Sequence, residues 1–139
     1  MLAQEASPGL TEVLTGLSAL ENAVRPTSVD RLFFLSAGTI PPNPSELLAS
    51  RKMLEILAAL GSEYDHVLVD SAPVLPVSDS VILSNVVDGV VLVAGRATPK
   101  AAVRDACSRL LYAGAHILGA VLNGVDLDRE RYYAPHAYY

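Results

Sequence analysis

Tyrosine is concentrated at the carboxyl end of the chain. Four of the six tyrosines lie in the last eight residues: Tyr132, Tyr133, Tyr138 and Tyr139. A phenol accepts a phosphoryl group and is also a large amphipathic contact, so the cluster indicates a phosphorylation target or a docking strip. A chain end without a role explains the tail equally well. We expect these side chains to be exposed, because Pro135 interrupts regular structure.

Polar side chains also follow three predicted strands. Asp70 ends the apolar run that begins at Val67, Arg96 follows Gly95, and Asn123 follows Leu122. Open parallel sheets bind ligands beyond the carboxyl ends of their strands. At that edge Asp70 is suited to bind magnesium through water or to act as the general base for a hydroxyl, as in nucleotide-dependent phosphoryl transfer. The alternative is an aspartate that only caps the next turn.

The other candidates at this edge have structural alternatives too. Asn123 suits the edge of a purine, but Asn123-Gly124 is equally typical of a turn. Arg96 faces either a phosphate or solvent. Asp79 is either a second acid at the metal site or the first-turn acid of a helix capped by Ser78.

Histidine and cysteine give no sign of a metal site or a nucleophile. His66, His116 and His136 have no metal-ligand spacing with one another or with Cys107, which favours structural histidines. Cys107 lies on the apolar face of a predicted helix, where a core position is the better interpretation.

Short apolar runs alternate with helical patterns, which predicts an α/β fold with an open, mainly parallel sheet and helices on both faces. The predicted strands are Leu32–Leu35, Val67–Asp70, Val90–Ala94 and Ile117–Leu122. The predicted helices run from an Asn43 cap to Leu60, from Ser78 to Val86, and from a Thr98 cap to a stop at Gly114.

The longest helix has the clearest start signal. Pro44 occupies its first position and Glu46 is placed to reach back to the cap. Ser50 marks a possible break, and Gly61 is the expected left-handed stop.

Composition predicts one compact soluble domain over residues 1–128, followed by the tyrosine-rich tail 129–139. The chain has 139 residues, of which 51% are hydrophobic, and a net charge of −5. No apolar run has the length of a membrane span, no signal peptide is readable, and a single cysteine fits a reducing cytosol. The acidic balance, with Lys52 and Lys100 as the two lysines, argues against nucleic acid as a partner.

Six stretches of the chain resemble, in order, the bacterial protein-tyrosine kinases of capsular and exopolysaccharide synthesis, which are P-loop proteins. These stretches are Gly9–Gly16, Leu35–Gly38 with Pro41–Leu48, Tyr64–Val74, Val77–Asp79, Val87–Val93 and Gly119–Asn123. The segment Asn43–Leu48 and the terminal tyrosines are the most specific features. The Asp70–Pro73 segment is shared with partition and septum-site ATPases.

The resemblance implies ATP and Mg²⁺ as cofactors of the complete domain. It matches Asp70 to the Walker B aspartate and Asn123 to a nucleotide-base residue, and it matches the tail to tyrosines that neighbouring copies phosphorylate. It also implies a cytoplasmic protein at the inner face of the plasma membrane. Its expected partners are other kinase copies and a membrane-embedded polysaccharide co-polymerase or activator.

One part of the family pattern has no counterpart in this sequence. No Gly-Lys pair occurs in the 139 residues, so the Walker A phosphate cradle is missing. By resemblance the chain corresponds to the carboxyl-terminal two-thirds of a kinase domain, beginning after the Walker A loop. We therefore expect weak or no ATP binding by this chain, and a sheet with a gap or unpaired edges.

Two functional hypotheses follow, with a weaker third. The sequence belongs to an ATP-dependent protein-tyrosine kinase that regulates polysaccharide export, or this chain is a noncatalytic binding module or substrate of an intact kinase. A relative of the partition or septum-site ATPases is the third. The terminal tyrosines and the Asn43–Leu48 segment do not suggest it.

Overall fold

The computed structural model describes residues 7–125, which form six helices and four strands. The helices are α1 Leu10–Leu14, α2 Leu20–Ala23, α3 Pro44–Leu48, α4 Arg51–Glu63, α5 Asp79–Leu83 and α6 Lys100–Tyr112. The strands are β1 Val24–Pro26, β2 Phe33–Leu35, β3 Val90–Gly95 and β4 Ile117–Asn123. The four terminal tyrosines lie outside the described residues.

The first core joins α1, α2 and α4 to a short antiparallel pair of strands. Val13, Ala23, Ile56 and Leu60 are its buried residues. The predicted strand Leu32–Leu35 is confirmed as β2, but its placement in the parallel sheet is wrong. It pairs antiparallel with β1, with Val24 opposite Leu35. Strand β1 and helices α1 and α2 were not predicted, because they are too short to carry a clear periodic pattern.

The predicted helix from Asn43 to Leu60 is two helices that meet at Ser50, which confirms the break. The Ser50 hydroxyl donates to the Leu47 carbonyl over 2.6 Å and accepts from the Met53 N–H over 3.3 Å, so it closes α3 and caps α4. The predicted stop at Gly61 is wrong, because α4 continues to Glu63. Packing of Ile56 and its neighbours outweighs the low helix propensity of one glycine.

The second core lies between the parallel pair β3–β4 and α6. Its buried residues are Leu92, Ala106, Leu110 and Ala115. Both predicted strands are confirmed, and Cys107 packs against this core as predicted. The expected Thr98 cap is wrong by one residue: Pro99 is the N-cap, and the Thr98 hydroxyl accepts from the Gly95 N–H over 3.1 Å. Gly114 follows the helix with φ +86, the predicted left-handed stop.

The predicted strand Val67–Asp70 is wrong, because this segment has no strand partner within residues 7–125. It connects α4 to α5 as irregular backbone, and Leu68 is 94% exposed. An apolar run can form a strand only where a neighbour supplies the hydrogen-bond ladder. The α/β class is confirmed by the parallel pair packed on α6, and the unpaired apolar segment marks the fold as incomplete.

Candidate functional site

A buried carboxylate anchors the start of α1 to the loop after β2. Glu12 is 8% exposed, and its carboxylate accepts from the Thr39 hydroxyl over 2.6 Å, the Gly9 N–H over 2.7 Å and the Thr39 N–H over 3.0 Å. These bonds, led by that of the Thr39 hydroxyl, lower the pKa of Glu12 to about 2. The first two stretches of the kinase resemblance are therefore joined by a charged hydrogen-bond cluster.

Gly38 allows the close approach on which this cluster depends. Its φ of +85 lies in the left-handed region, and a Cβ added to it would overlap the carboxylate of Glu12. Both the backbone angle and the space next to the acid require glycine at this position.

A second polar contact joins α3 to α5. The Ser45 hydroxyl donates to Oδ1 of Asp79 over 2.7 Å, and it lies 3.3 Å from the hydroxyl of Ser78. At the start of α3, the Glu46 carboxylate accepts from the side-chain amide of Asn43 over 2.6 Å. The sequence predicts that Glu46 accepts from the backbone N–H of Asn43, and the side-chain bond takes its place. The Asn43–Leu48 segment thus meets the stretch that contains Asp79.

Ser80, beside Asp79 on α5, continues the network to the Asp70 segment. It is 7% exposed, its hydroxyl donates to the Ala72 carbonyl, and it accepts from the Ser71 hydroxyl over 3.2 Å. Asp70 itself is exposed, and its carboxylate has no hydrogen-bond partner within residues 7–125. The backbone around Asp70 is therefore held by α5 while its carboxylate stays available to a ligand.

Arg96 and Asn123 lie together at the carboxyl edge of the parallel pair. The Arg96 N–H donates to the Asn123 carbonyl over 3.0 Å, just beyond the paired residues Gly95 and Asn123. Both side chains are exposed. The structure thus brings these two predicted residues to one edge, and their roles toward a nucleotide stay predictions.

The metal roles of Asp70 and Asp79 also stay predictions. Residues 7–125 contain no group of three or more His, Cys, Asp or Glu side chains arranged to hold a metal ion. Nor does this part of the chain contain a helix long and apolar enough to cross a membrane.

The site also contains four residues that the sequence did not predict: Glu12, Thr39, Ser45 and Ser80. One signal was available: Glu12 lies three residues after the cap Gly9, which is capping-box spacing. The Ser45 hydroxyl bonds to a residue 34 positions away and the Ser80 hydroxyl to one 8 positions away, so no local sequence pattern predicts either contact.

Comparison with known proteins identifies the family, although no family model matches the chain. Tyrosine-protein kinase YwqD of Bacillus subtilis is 40% identical over 130 residues, which are 93% of this chain and 55% of YwqD. The fold is that of a bacterial tyrosine kinase domain. The solved BceF tyrosine kinase domain superposes with a TM-score of 0.80 at 47% identity, over 86% of this chain and 50% of the BceF chain.

The kinase domain of Escherichia coli tyrosine kinase ETK gives a TM-score of 0.84 at 34% identity, over 97% of this chain and 51% of that one. The chain belongs to the bacterial tyrosine kinases of capsule and exopolysaccharide systems, as the ordered stretches predicted. It spans about half the length of each of these three proteins.

Proposed function

We propose that the chain is part of an ATP-dependent protein-tyrosine autokinase that regulates capsular or exopolysaccharide synthesis and export. The observation that carries this proposal is the match to bacterial tyrosine kinases over most of the chain, at 34–47% identity in the three comparisons above. The exposed Asp70 carboxylate, on backbone that α5 holds in place, supports it.

In this proposal Asp70 has one of two roles. It binds Mg²⁺ through water, or it accepts the proton that a tyrosine hydroxyl loses as its oxygen attacks the γ-phosphorus of ATP and ADP leaves. Mg²⁺ supplies neutralisation of the charge that develops on the phosphates. Asn123 contacts the nucleotide base and Arg96 the phosphates, both from the edge where they lie together. Asp79 is the candidate second metal ligand, although its Oδ1 already accepts the Ser45 hydroxyl.

A second candidate function is a noncatalytic binding module that an intact kinase phosphorylates. It is favoured by the absence of a Gly-Lys pair from the sequence, since phosphoryl transfer depends on the backbone cradle and lysine that hold the phosphates. An in-frame Gly-rich segment ending in Gly-Lys-Ser or Gly-Lys-Thr immediately upstream in the gene would favour the kinase instead.

The proposed partners follow from the family. Other copies of the kinase would present or receive the tyrosine tail, and a membrane-embedded polysaccharide co-polymerase or activator would hold the protein at the inner face of the plasma membrane. Tyr132, Tyr133, Tyr138 and Tyr139 are the proposed phosphoryl acceptors.

The test is phosphorylation of this chain by an intact family member, with the kinase domain of ETK as the enzyme. Mass spectrometry should find several phosphorylated tail tyrosines after incubation with Mg²⁺ and ATP. A variant with the four tail tyrosines changed to Phe is the control and should accept little phosphate. Modification confined to Tyr64 or Tyr112, with the tail untouched, would remove the support for this function.

A further inference from the structure

We propose that Asp79 is a positioning residue for the Asp70 segment, acting through Ser45 on one side and Ser80 on the other. The role of Asp70 in phosphoryl transfer rests on the proposed function above. The positioning itself rests on the contacts between α3, α5 and residues 70–72, and it is measurable without any transfer reaction.

The first contact fixes α5 against α3. Asp79 is half-buried, and its Oδ1 accepts the Ser45 hydroxyl over 2.7 Å. Hydrogen bonds to a charged group are shorter and stronger than neutral ones, so this bond is suited to hold two short helices together. With five residues each, neither α3 nor α5 is long enough to be stable alone.

The second contact transmits that position to the Asp70 segment. Ser80 follows Asp79 in the first turn of α5, and it is buried with its hydroxyl between two groups of the neighbouring segment. It donates to the Ala72 carbonyl and accepts from the Ser71 hydroxyl. Both partners lie within two residues of Asp70, so a shift of α5 moves the backbone that carries this carboxylate.

These bonds matter more here than they would in a paired strand. Residues 67–70 have no strand ladder within the described part of the chain, and Leu68 is 94% exposed. The hydrogen bonds of Ser80 therefore restrain the two residues just after Asp70. Further along the same connection, Val74 and Leu75 pack against the second core. Asp79 acts in this scheme by holding α5 in place, with its Oδ1 already engaged by a hydroxyl.

The experiment is NMR on the isotopically labelled 139-residue chain. Asp79→Ala removes the acceptor, Asp79→Asn keeps an oxygen able to accept from Ser45, and Ser45→Ala removes the donor while Asp79 stays. Ser62→Ala is the matched control, because the Ser62 hydroxyl bonds only within its own helix, to the Ala59 carbonyl over 2.7 Å.

We expect Asp79→Ala and Ser45→Ala to shift the Ala72 carbonyl carbon resonance. They should also lower the backbone order parameters of residues 70–72 from about 0.85 towards about 0.6. Asp79→Asn should give smaller changes than Asp79→Ala, because a neutral amide oxygen still accepts from Ser45 but more weakly than a carboxylate. Ser62→Ala should leave these residues unchanged. Unaltered resonances of Leu92 and Leu110 show that the second core stays folded. If Asp79→Ala does not fold, Ser45→Ala carries the test.

Two results would overturn the proposal. One is an unchanged Ala72 carbonyl with unchanged order parameters at 70–72 in every folded variant. The other is a saturable shift of the Asp79 carboxyl carbon on titration of the wild-type chain with MgCl₂ alone, together with a loss of Mg²⁺ binding in Asp79→Asn measured by calorimetry, which would make Asp79 a metal ligand. Failure of an intact kinase to phosphorylate the tail would count against the proposed function and leave these NMR results unaffected.

Discussion

The two faces of β3 should respond differently to substitution. Leu92 is 8% exposed and packs on Ala106 and Leu110, whereas Val91 and Val93 point to the opposite face and are 54% and 61% exposed. Alternate residues of a strand point to opposite sides, so substitutions at a buried and an exposed position can be compared within the same strand. Helix α6 covers one face of the parallel pair, and no element within residues 7–125 covers the other, on which Val91 and Val93 are exposed.

We expect Leu92→Ala to cost about 3 kcal/mol of the free energy of unfolding. That is the middle range for removing a buried leucine side chain whose surroundings relax only partly. For a chain of 139 residues it corresponds to a fall in melting temperature of about 10 °C. Val93→Thr keeps a β-branched side chain of similar volume on an exposed position, and we expect it to change stability by less than about 0.5 kcal/mol.

The assay is urea denaturation and thermal melting, both followed by circular dichroism and repeated over a range of protein concentrations. The open face and the unpaired strand edges should make the wild-type chain marginally stable or self-associating, and Val93→Thr should weaken that association. If Val93→Thr lowers the free energy of unfolding as much as Leu92→Ala does, at concentrations where the chain is monomeric, the second face must be covered. A monomer with a cooperative, high-melting transition at all concentrations would contradict the association.

Two further predictions concern the carboxylate cluster at the start of α1. Because hydrogen bonds lower the folded-state pKa of Glu12 to about 2 from 4.5, its contribution to stability is fully present above pH 4.5 and is lost as the pH falls through about 2. Glu12→Gln should therefore melt below wild type at pH 7, and the gap should close on acidification; a gap independent of pH would refute this. Gly38→Ala should destabilise by at least about 1–2 kcal/mol, because it strains a left-handed residue and displaces the acid. The control Gly61→Ala lies in α4 with open space around it and should stabilise slightly, by up to about 1 kcal/mol, in the same thermal melts.

The elements that could be predicted are those with a local signal. Strands β3 and β4 are continuous apolar runs, and α6 combines helical spacing with a clear glycine stop, so each was located to within a residue or two. The break at Ser50 was also predicted, because serine is unfavourable inside a helix and favourable as its N-cap.

The elements that could not be predicted depend on partners distant in sequence. Val67–Asp70 has the composition of a buried strand, yet a strand exists only with a neighbour, and residues 7–125 offer none to it. Likewise, β2 was recognised as a strand, but its antiparallel partner β1 is three residues long and gives no periodic pattern. Tertiary pairing decided both cases.

The candidate site divides in the same way. Asp70, Arg96 and Asn123 were predicted to lie at one edge because each follows a predicted strand of the parallel sheet. The structure brings Arg96 and Asn123 together there, whereas the segment that ends at Asp70 has no strand partner within residues 7–125. The hydroxyl network from Ser45 through Asp79 to Ser80 is formed by loops and short helices. Only the folded chain reveals which of their polar side chains meet.

We propose that these 139 residues, which contain no Gly-Lys pair, supply the Asp70 segment of a tyrosine kinase site but do not transfer phosphate by themselves. The most direct measurement is incubation of the purified 139-residue chain alone with Mg²⁺ and ATP, followed by detection of phosphotyrosine, with the kinase domain of ETK as the positive control. We predict no phosphotyrosine on this chain. Phosphotyrosine that forms on the chain alone and disappears in Asp70→Ala would contradict the claim and show that these residues suffice for transfer.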